Sequence, residues 1–333
     1  MKESVFIRKN IAKWERTETV VEHAAAETPD RLAEVYVDIT SDLSFAQTHY
    51  PQSRITTYLN NLASAIHNEI YRNKRERSSR FITFWTHEVP RAMYEARWLL
   101  LASLLIFVAG VLIGVLSQHV DTSFCRVIMG DSYMDMTEEN IAKGHPLDVY
   151  GKMPELSMFH AITLNNIGVA FRVFVMGLFT SLATGIMLLY NGIMIGVFDT
   201  YFAQHGLLAE SLLGTMLHGT LELSAIVVAG AAGLAMGNGW LFPGTYSRLQ
   251  SFRRGALRGL KIVVGTVPVF VVAGFIESFI TRHTDMAVAV KLTIIGLSAA
   301  FVLFYFVVWP WWLHRREARR EAQDSVLHTY YKN

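Results

Sequence analysis

Residues 98–116 read WLLLASLLIFVAGVLIGVL, an apolar run without a single charge. Crossing about 30 Å of hydrocarbon takes roughly 20 such residues in a helix, so this run predicts a membrane span. Sequence on its N-terminal side is charged and mixed, whereas nearly all other long apolar runs lie beyond it. Ile162 to Phe202 is about twice the length of one span and is broken near Ser181, Thr184 and Gly185, which predicts two helices joined by a tight turn. Leu212 to Met236, Ile262 to Ile280 and Met286 to Trp309 supply the others, giving about six spans. The expected class is all-α, a polytopic transmembrane bundle with an N-terminal soluble helical region.

Composition agrees with two regions in two solvents. The chain has 333 residues, 52% hydrophobic and 17% charged, where a soluble domain carries about a quarter charged. A net charge of +2 is too small to indicate a nucleic-acid partner, and none is expected. Cys125 is the sole cysteine, which excludes an intrachain disulfide and any cysteine-based zinc site. Met1 to Glu22 is charged and amphipathic, unlike a signal peptide, so the first span is expected to direct insertion.

Basic residues set the orientation, because short loops keep Lys and Arg on the cytoplasmic side. Arg91 and Arg97 precede the first span; Arg248, Arg253, Arg254, Arg258 and Lys261 lie between the fourth and fifth; Arg315, Arg316, Arg319 and Arg320 follow the last. Six crossings put all three clusters on one side. The expected layout is a cytoplasmic helical region 1–90, a transmembrane domain 91–314 with an extracytoplasmic loop 118–160, and a basic cytoplasmic tail 315–333. That loop is acidic, with Asp121, Asp131, Asp135, Glu138, Glu139, Asp148 and Glu155 beside Pro146 and Pro154. Trp98, Trp309, Trp311 and Trp312 fall at expected interfaces, where an indole is favoured.

Helical patterns over Glu3 to Ala26, Pro29 to Tyr50 and Gln52 to Arg77, with Leu32, Val35, Val37 and Ile39 among charges, predict a small N-terminal bundle. Pro29 and Pro51 sit where helices would start, and the run Arg72 to Arg77 with Ser78, Ser79 and Arg80 marks a solvated break. Phe81 to Arg97 fits either an amphipathic interface helix or a linker.

Ionisable and amide groups inside spans are costly and usually face the bundle interior. The candidates are Asn165 and Asn166, which open the second span, Arg172, Asn191, Asp199, His218, Glu222 and Glu277. His218 and Glu222 are four positions apart and share a helix face. They could hold a metal with Glu277, or Glu222 could act as a general base, although the second histidine of zinc-protease motifs is missing. The favoured alternative is a hydrogen-bonded network that holds helices together, and a proton or solute path is a third. Gly192 and Gly196, and Gly233 and Gly237, form small-xxx-small pairs that allow close helix approach. No phosphate-binding loop, nucleophile elbow or Cys/His metal spacing occurs, so neither a cofactor nor an intrinsic ATP-driven motor is expected.

In order along the chain stand Asn165-Asn166, Asn191-Gly192-x-x-x-Gly196, His218-Gly219-x-x-Glu222-Leu223, Ala229-Gly230-x-x-Gly233 and Gly274-Phe-Ile-Glu277-Ser-Phe279. This series resembles the bacterial stage II sporulation protein M family from about Trp98 to the last span. The N-terminal region, with Trp14, Tyr58-Leu-Asn60 and Ile70-Tyr71, looks like the longer form of that family. The resemblance implies a membrane scaffold rather than an enzyme. Founding members serve engulfment by holding two peptidoglycan-degrading partners. Relatives in bacteria without spores commonly neighbour genes for a MoxR-type ATPase, a von Willebrand factor A-type protein and an RDD-type membrane protein, which implies envelope assembly or maintenance. The long N-terminal region departs from the short sporulation form, so engulfment itself is not carried over.

The leading expectation is therefore a non-enzymatic scaffold or subunit of a cell-envelope complex, in which changing Glu222 or Glu277 impairs folding or assembly. A transporter or channel for a small solute or lipid intermediate, and an intramembrane metal-dependent hydrolase, are the alternatives. Expected partners are the lipid bilayer and other membrane or envelope proteins, with self-association left open.

Overall fold

The structure is a computed structural model that describes residues 2–24, 27, 29–71, 79–144, 154–282 and 286–332. The chain divides into two compact units, Met1–Arg80 and Phe81–Asn333. Among the described residues no strand occurs. The charged run Arg72 to Arg77, Ser78, and Pro146 and Asp148 of the acidic loop lie outside them.

The N-terminal unit is three helices, α1 (Glu3–Glu22), α2 (Pro29–His49) and α3 (Arg54–Tyr71). Leu59, Leu62, Ala63 and Ile66 repeat at helical spacing along α3 and are buried, together with Val35, Ile39 and Ala46 of α2 and Phe6 and Trp14 of α1. Trp14 is fully buried, and its indole N–H donates to Asp42 Oδ2 at 2.8 Å, so the one polar atom of the ring keeps a partner. Lys13 also pairs with Asp42. Val37 is 64% exposed, because Val35 and Ile39 already define the inward stripe and a residue two positions away points elsewhere. Pro51 lies in the turn before α3 rather than at its first position. Burial and a hydrogen bond with Glu18 push the Tyr58 phenol up to about 12.

A short helix, Ser79–Thr83 (α4), runs across the division at Arg80, and the second unit continues with a π-helical turn Phe84–Glu88 and Val89–Glu95 (α5). Phe81 to Arg97 is helical and packs one face on the spans. Val89, Ala92, Met93 and Ala96 are buried in the same core as the spans, Tyr305 Oη donates to the Trp85 carbonyl, and Trp309 Nε1 donates to that of Thr86. Lys261 and Arg258 pair with Glu88 and Glu95.

Among the described residues six helices are long and apolar enough to cross a membrane: α6 (Arg97–Val120), α9 (Glu155–Met176), α10 (Ser181–Gln204), α11 (Leu208–Leu241), α12 (Arg248–Phe275) prolonged by a π turn to Thr281, and the last. That last helix is α13 (Val288–Leu303), a π turn Phe304–Val308 and α14 (Trp309–Lys332) in succession. The break in the expected double span falls at Gly177–Thr180, where the Thr180 hydroxyl caps α10 by accepting from the Ala183 N–H. α11 is the central element, with 78% of its most apolar stretch buried against 11% for the last span.

Small residues bring the backbones together. α6 carries Gly110 and Gly114 opposite Gly192 and Gly196 of α10. A methyl group on any of the four would overlap a carbonyl oxygen of the facing helix, at Leu189, Ile193, Phe107 and Val111 respectively. Gly255 and Gly259 of α12 meet the carbonyls of Ala235 and Ala232 on α11 in the same way. Where lipid removes the hydrophobic drive between helices, such close packing is what associates them.

The acidic segment between α6 and α9 holds two short helices, α7 (Phe124–Met129) and α8 (Asp131–Ala142). Arg126 of α7 bonds Asp135 at 2.6 Å and Glu138 at 2.9 Å, drawing α8 alongside and holding its own guanidinium charged. Ser123 N–H and Oγ both donate to Asp121 Oδ1, which keeps that carboxyl below the usual carboxylate range and turns the chain at the end of α6. Cys125, Met134, Tyr201 and Phe202 form a small apolar core there.

Candidate functional site

Three spans meet at one polar cluster. α11 supplies His218 and Glu222 from successive turns of one face, the π turn after α12 supplies Glu277, and α9 supplies Asn166. The π turn sets the third group: an extra residue per turn rotates the helix, so that Glu277, Ser278 and Thr281 are all buried. His218 is 4% and Glu277 8% exposed.

One ligand atom of each of His218, Glu222 and Glu277 lies within 4.8 Å of those of the other two. Asn166 Nδ2 donates to Glu222 Oε1. His218 Nε2 is 3.7 Å from Glu277 Oε1, and Nδ1 is 3.2 Å from Thr281 Oγ1. Thr281 Oγ1 donates its proton to the Ile276 carbonyl at 3.3 Å, so it can only accept from His218 Nδ1–H. That fixes the imidazole tautomer, with the Nε2 lone pair on the carboxylate side. The hydroxyls of Thr163 and Ser278, both buried, have no hydrogen-bond partner among the described residues. Thr163 precedes Asn166 by one turn on α9 and packs against Gly274, one turn before Glu277.

The cluster sits in the half of the bundle nearest α7 and α8. Tyr133 of α8 is close enough to feel it: burial raises the Tyr133 phenol, and the Glu277 charge raises it further. Arg282, at the end of the π turn, pairs with Glu155 at 2.9 Å and ties α12 to the start of α9.

The other candidates lie elsewhere. Arg172 is exposed and donates to the Gly168 carbonyl of its own helix; α9 turns it outward, away from the cluster. Asn165 is exposed and touches the cluster only through a 3.4 Å contact to Asn166 Oδ1. Neither asparagine opens its span, since α9 begins at Glu155. Asn191 is buried and donates to the Met187 carbonyl, one turn back on α10. Asp199 accepts from Ser211 Oγ at 3.2 Å and joins the α10 to α11 turn. Thr281, Thr163, Ser278 and Tyr133 escaped sequence reasoning, because a lone hydroxyl in an apolar helix carries no periodic signal and the π turn that aims two of them is invisible in spacing.

A family model described as Stage II sporulation protein M matches residues 103–282, more than half of the chain. The chain belongs to the stage II sporulation protein M family. The family match contains all four converging residues, Asn166, His218, Glu222 and Glu277, and the glycine contacts between α6 and α10. Residues 4–72 match a second model, Domain of unknown function DUF8413, which coincides with α1 to α3. No curated protein and no solved structure matches the chain. As a member of the stage II sporulation protein M family with six membrane-length helices, this is a multi-pass membrane protein.

Proposed function

We propose that the protein is a non-enzymatic scaffold, a subunit of a cell-envelope complex in the bacterial inner membrane that serves envelope or peptidoglycan remodelling. The observation that carries this reading is the backbone-to-backbone packing of α6, α10, α11 and α12, with helical surfaces at both ends of the bundle. Rigid close packing through Gly110, Gly114, Gly192, Gly196, Gly255 and Gly259 suits an element that holds others in place. At one end stand α7 and α8, bound together through Arg126. At the other stand α14 and, around a cleft of about 830 Å³, α5 and the basic residues Arg254, Arg258 and Lys261. The N-terminal helical unit precedes that end in the chain and adds a separate body for contacts. Under this reading both termini are cytoplasmic and α7 and α8 face outward, as the distribution of Lys and Arg favours.

Photo-crosslinking in cells tests it. A benzophenone amino acid at Val127 of α7, 75% exposed, and another at Val37 of α2, 64% exposed, should each give a discrete protein adduct, with different partners at the two positions. Lipid adducts alone at both positions would remove the scaffold reading.

A further inference from the structure

We propose that His218, Glu222 and Glu277 bind a divalent transition-metal ion of the zinc class between α11 and α12, a structural centre independent of whether the bundle acts as a scaffold. Three observations converge. First, the donor set is complete enough: an imidazole nitrogen and two carboxylates lie within 4.8 Å of one another, and closing of the three side chains by roughly 1 Å brings them to the spacing of about 3.5 Å that a tetrahedral ion with bonds of about 2.0–2.2 Å requires. Second, the imidazole is oriented as a ligand. Thr281 Oγ1, itself committed to the Ile276 carbonyl, accepts from Nδ1–H and turns the Nε2 lone pair toward Glu277 Oε1 at 3.7 Å. A histidine ligand is typically held by such a bond from its other nitrogen. Third, Asn166 Nδ2 donates to Glu222 Oε1 and so orients that carboxylate, as the outer partner of a metal ligand does.

Charge supports the same assignment. Two ionised carboxylates and a neutral imidazole carry two negative charges into a helix interior bounded by lipid. A divalent ion brings the site to neutrality, whereas an unmatched buried charge is very costly. Imidazole with carboxylate oxygens suits zinc, manganese or ferrous iron, and does not suit calcium or magnesium, which prefer all-oxygen sets.

The test is elemental analysis of the full chain, purified in detergent without chelators, beside His218→Ala and Glu277→Gln. The expected result is about one zinc-class ion per chain in the unmodified protein and background in both variants. Because a variant could unfold for other reasons, the unmodified protein is also stripped with chelator and titrated with zinc. The melting temperature should fall on stripping and recover on adding one equivalent. Cobalt(II) in place of zinc should give visible d–d absorption that Thr281→Ala shifts. Absence of metal in the purified chain together with a melting temperature indifferent to zinc would overturn the proposal and leave a carboxyl pair sharing a proton. Retention of the ion at the same stoichiometry in Glu277→Gln would overturn it too, by placing the metal elsewhere.

Discussion

Asn166 of α9 donates its amide N–H to Glu222 of α11, joining two spans that lie 56 positions apart in the chain. Glu277, from the π turn after α12, stands within 4.8 Å of Glu222, so three helices meet at one level of the bundle. Removing the first donor leaves a carboxyl group without that partner. Asn166→Ala is expected to lower stability by about 1–3 kcal/mol, the usual cost of orphaning a buried polar group. Thermal unfolding in detergent measures it, and Asn165→Ala, on the exposed neighbour, is the matched control expected to change little.

Close approach of α6 and α10 gives a second expectation. Gly196→Ala places a methyl group on the Val111 carbonyl, and neither helix can yield without disturbing the contacts of Gly114 and Gly192. A loss of about 1–3 kcal/mol is expected, as for other overpacked interiors. Gly168→Ala, where nothing lies within 4 Å, should be neutral or slightly stabilising, since alanine favours the helix. Equal effects at both positions would mean that the spans do not pack through these residues.

The N-terminal unit has an alkaline limit. Burial and Glu18 push the Tyr58 phenol up to about 12, above the ordinary value of about 10, so folding favours the neutral form. The contribution is whole below about pH 10 and is lost as pH rises through about 12. Unfolding of α1 to α3, followed by the fluorescence of buried Trp14, should become easier between those values, and Tyr58→Phe should weaken that dependence.

Much of this architecture was legible in the sequence, and the reason differs by element. Residues 98–116 are uncharged over a full membrane thickness, and no globular alternative buries such a run on all sides, so α6 and the other spans declared themselves. His218 and Glu222 were readable as a pair because their spacing fits one helix face. Their meeting with Glu277 and Asn166 was not, since helix order says nothing about rotation, and the Ile276–Thr281 π turn changes the rotation that ideal spacing implies. Arg172 misled for the converse reason: a charge in a span suggests an interior face, yet a long side chain near the end of α9 can face outward and bond its own backbone. The facing pair Gly110 and Gly114 was present in the sequence, but it is the register of α6 against α10 that gives it its role.

The most direct test of the account is the sidedness of the two helical surfaces that a scaffold needs on opposite faces of one membrane. With the sole cysteine replaced, Cys125→Ser, single cysteines at exposed Lys143, beyond α8, and exposed Lys9, in α1, are probed with a membrane-impermeant maleimide on intact cells stripped of any outer barrier. The account predicts labelling of Lys143→Cys in intact cells and of Lys9→Cys only after lysis. Labelling of Lys9→Cys in intact cells, or protection of Lys143→Cys until lysis, would contradict it.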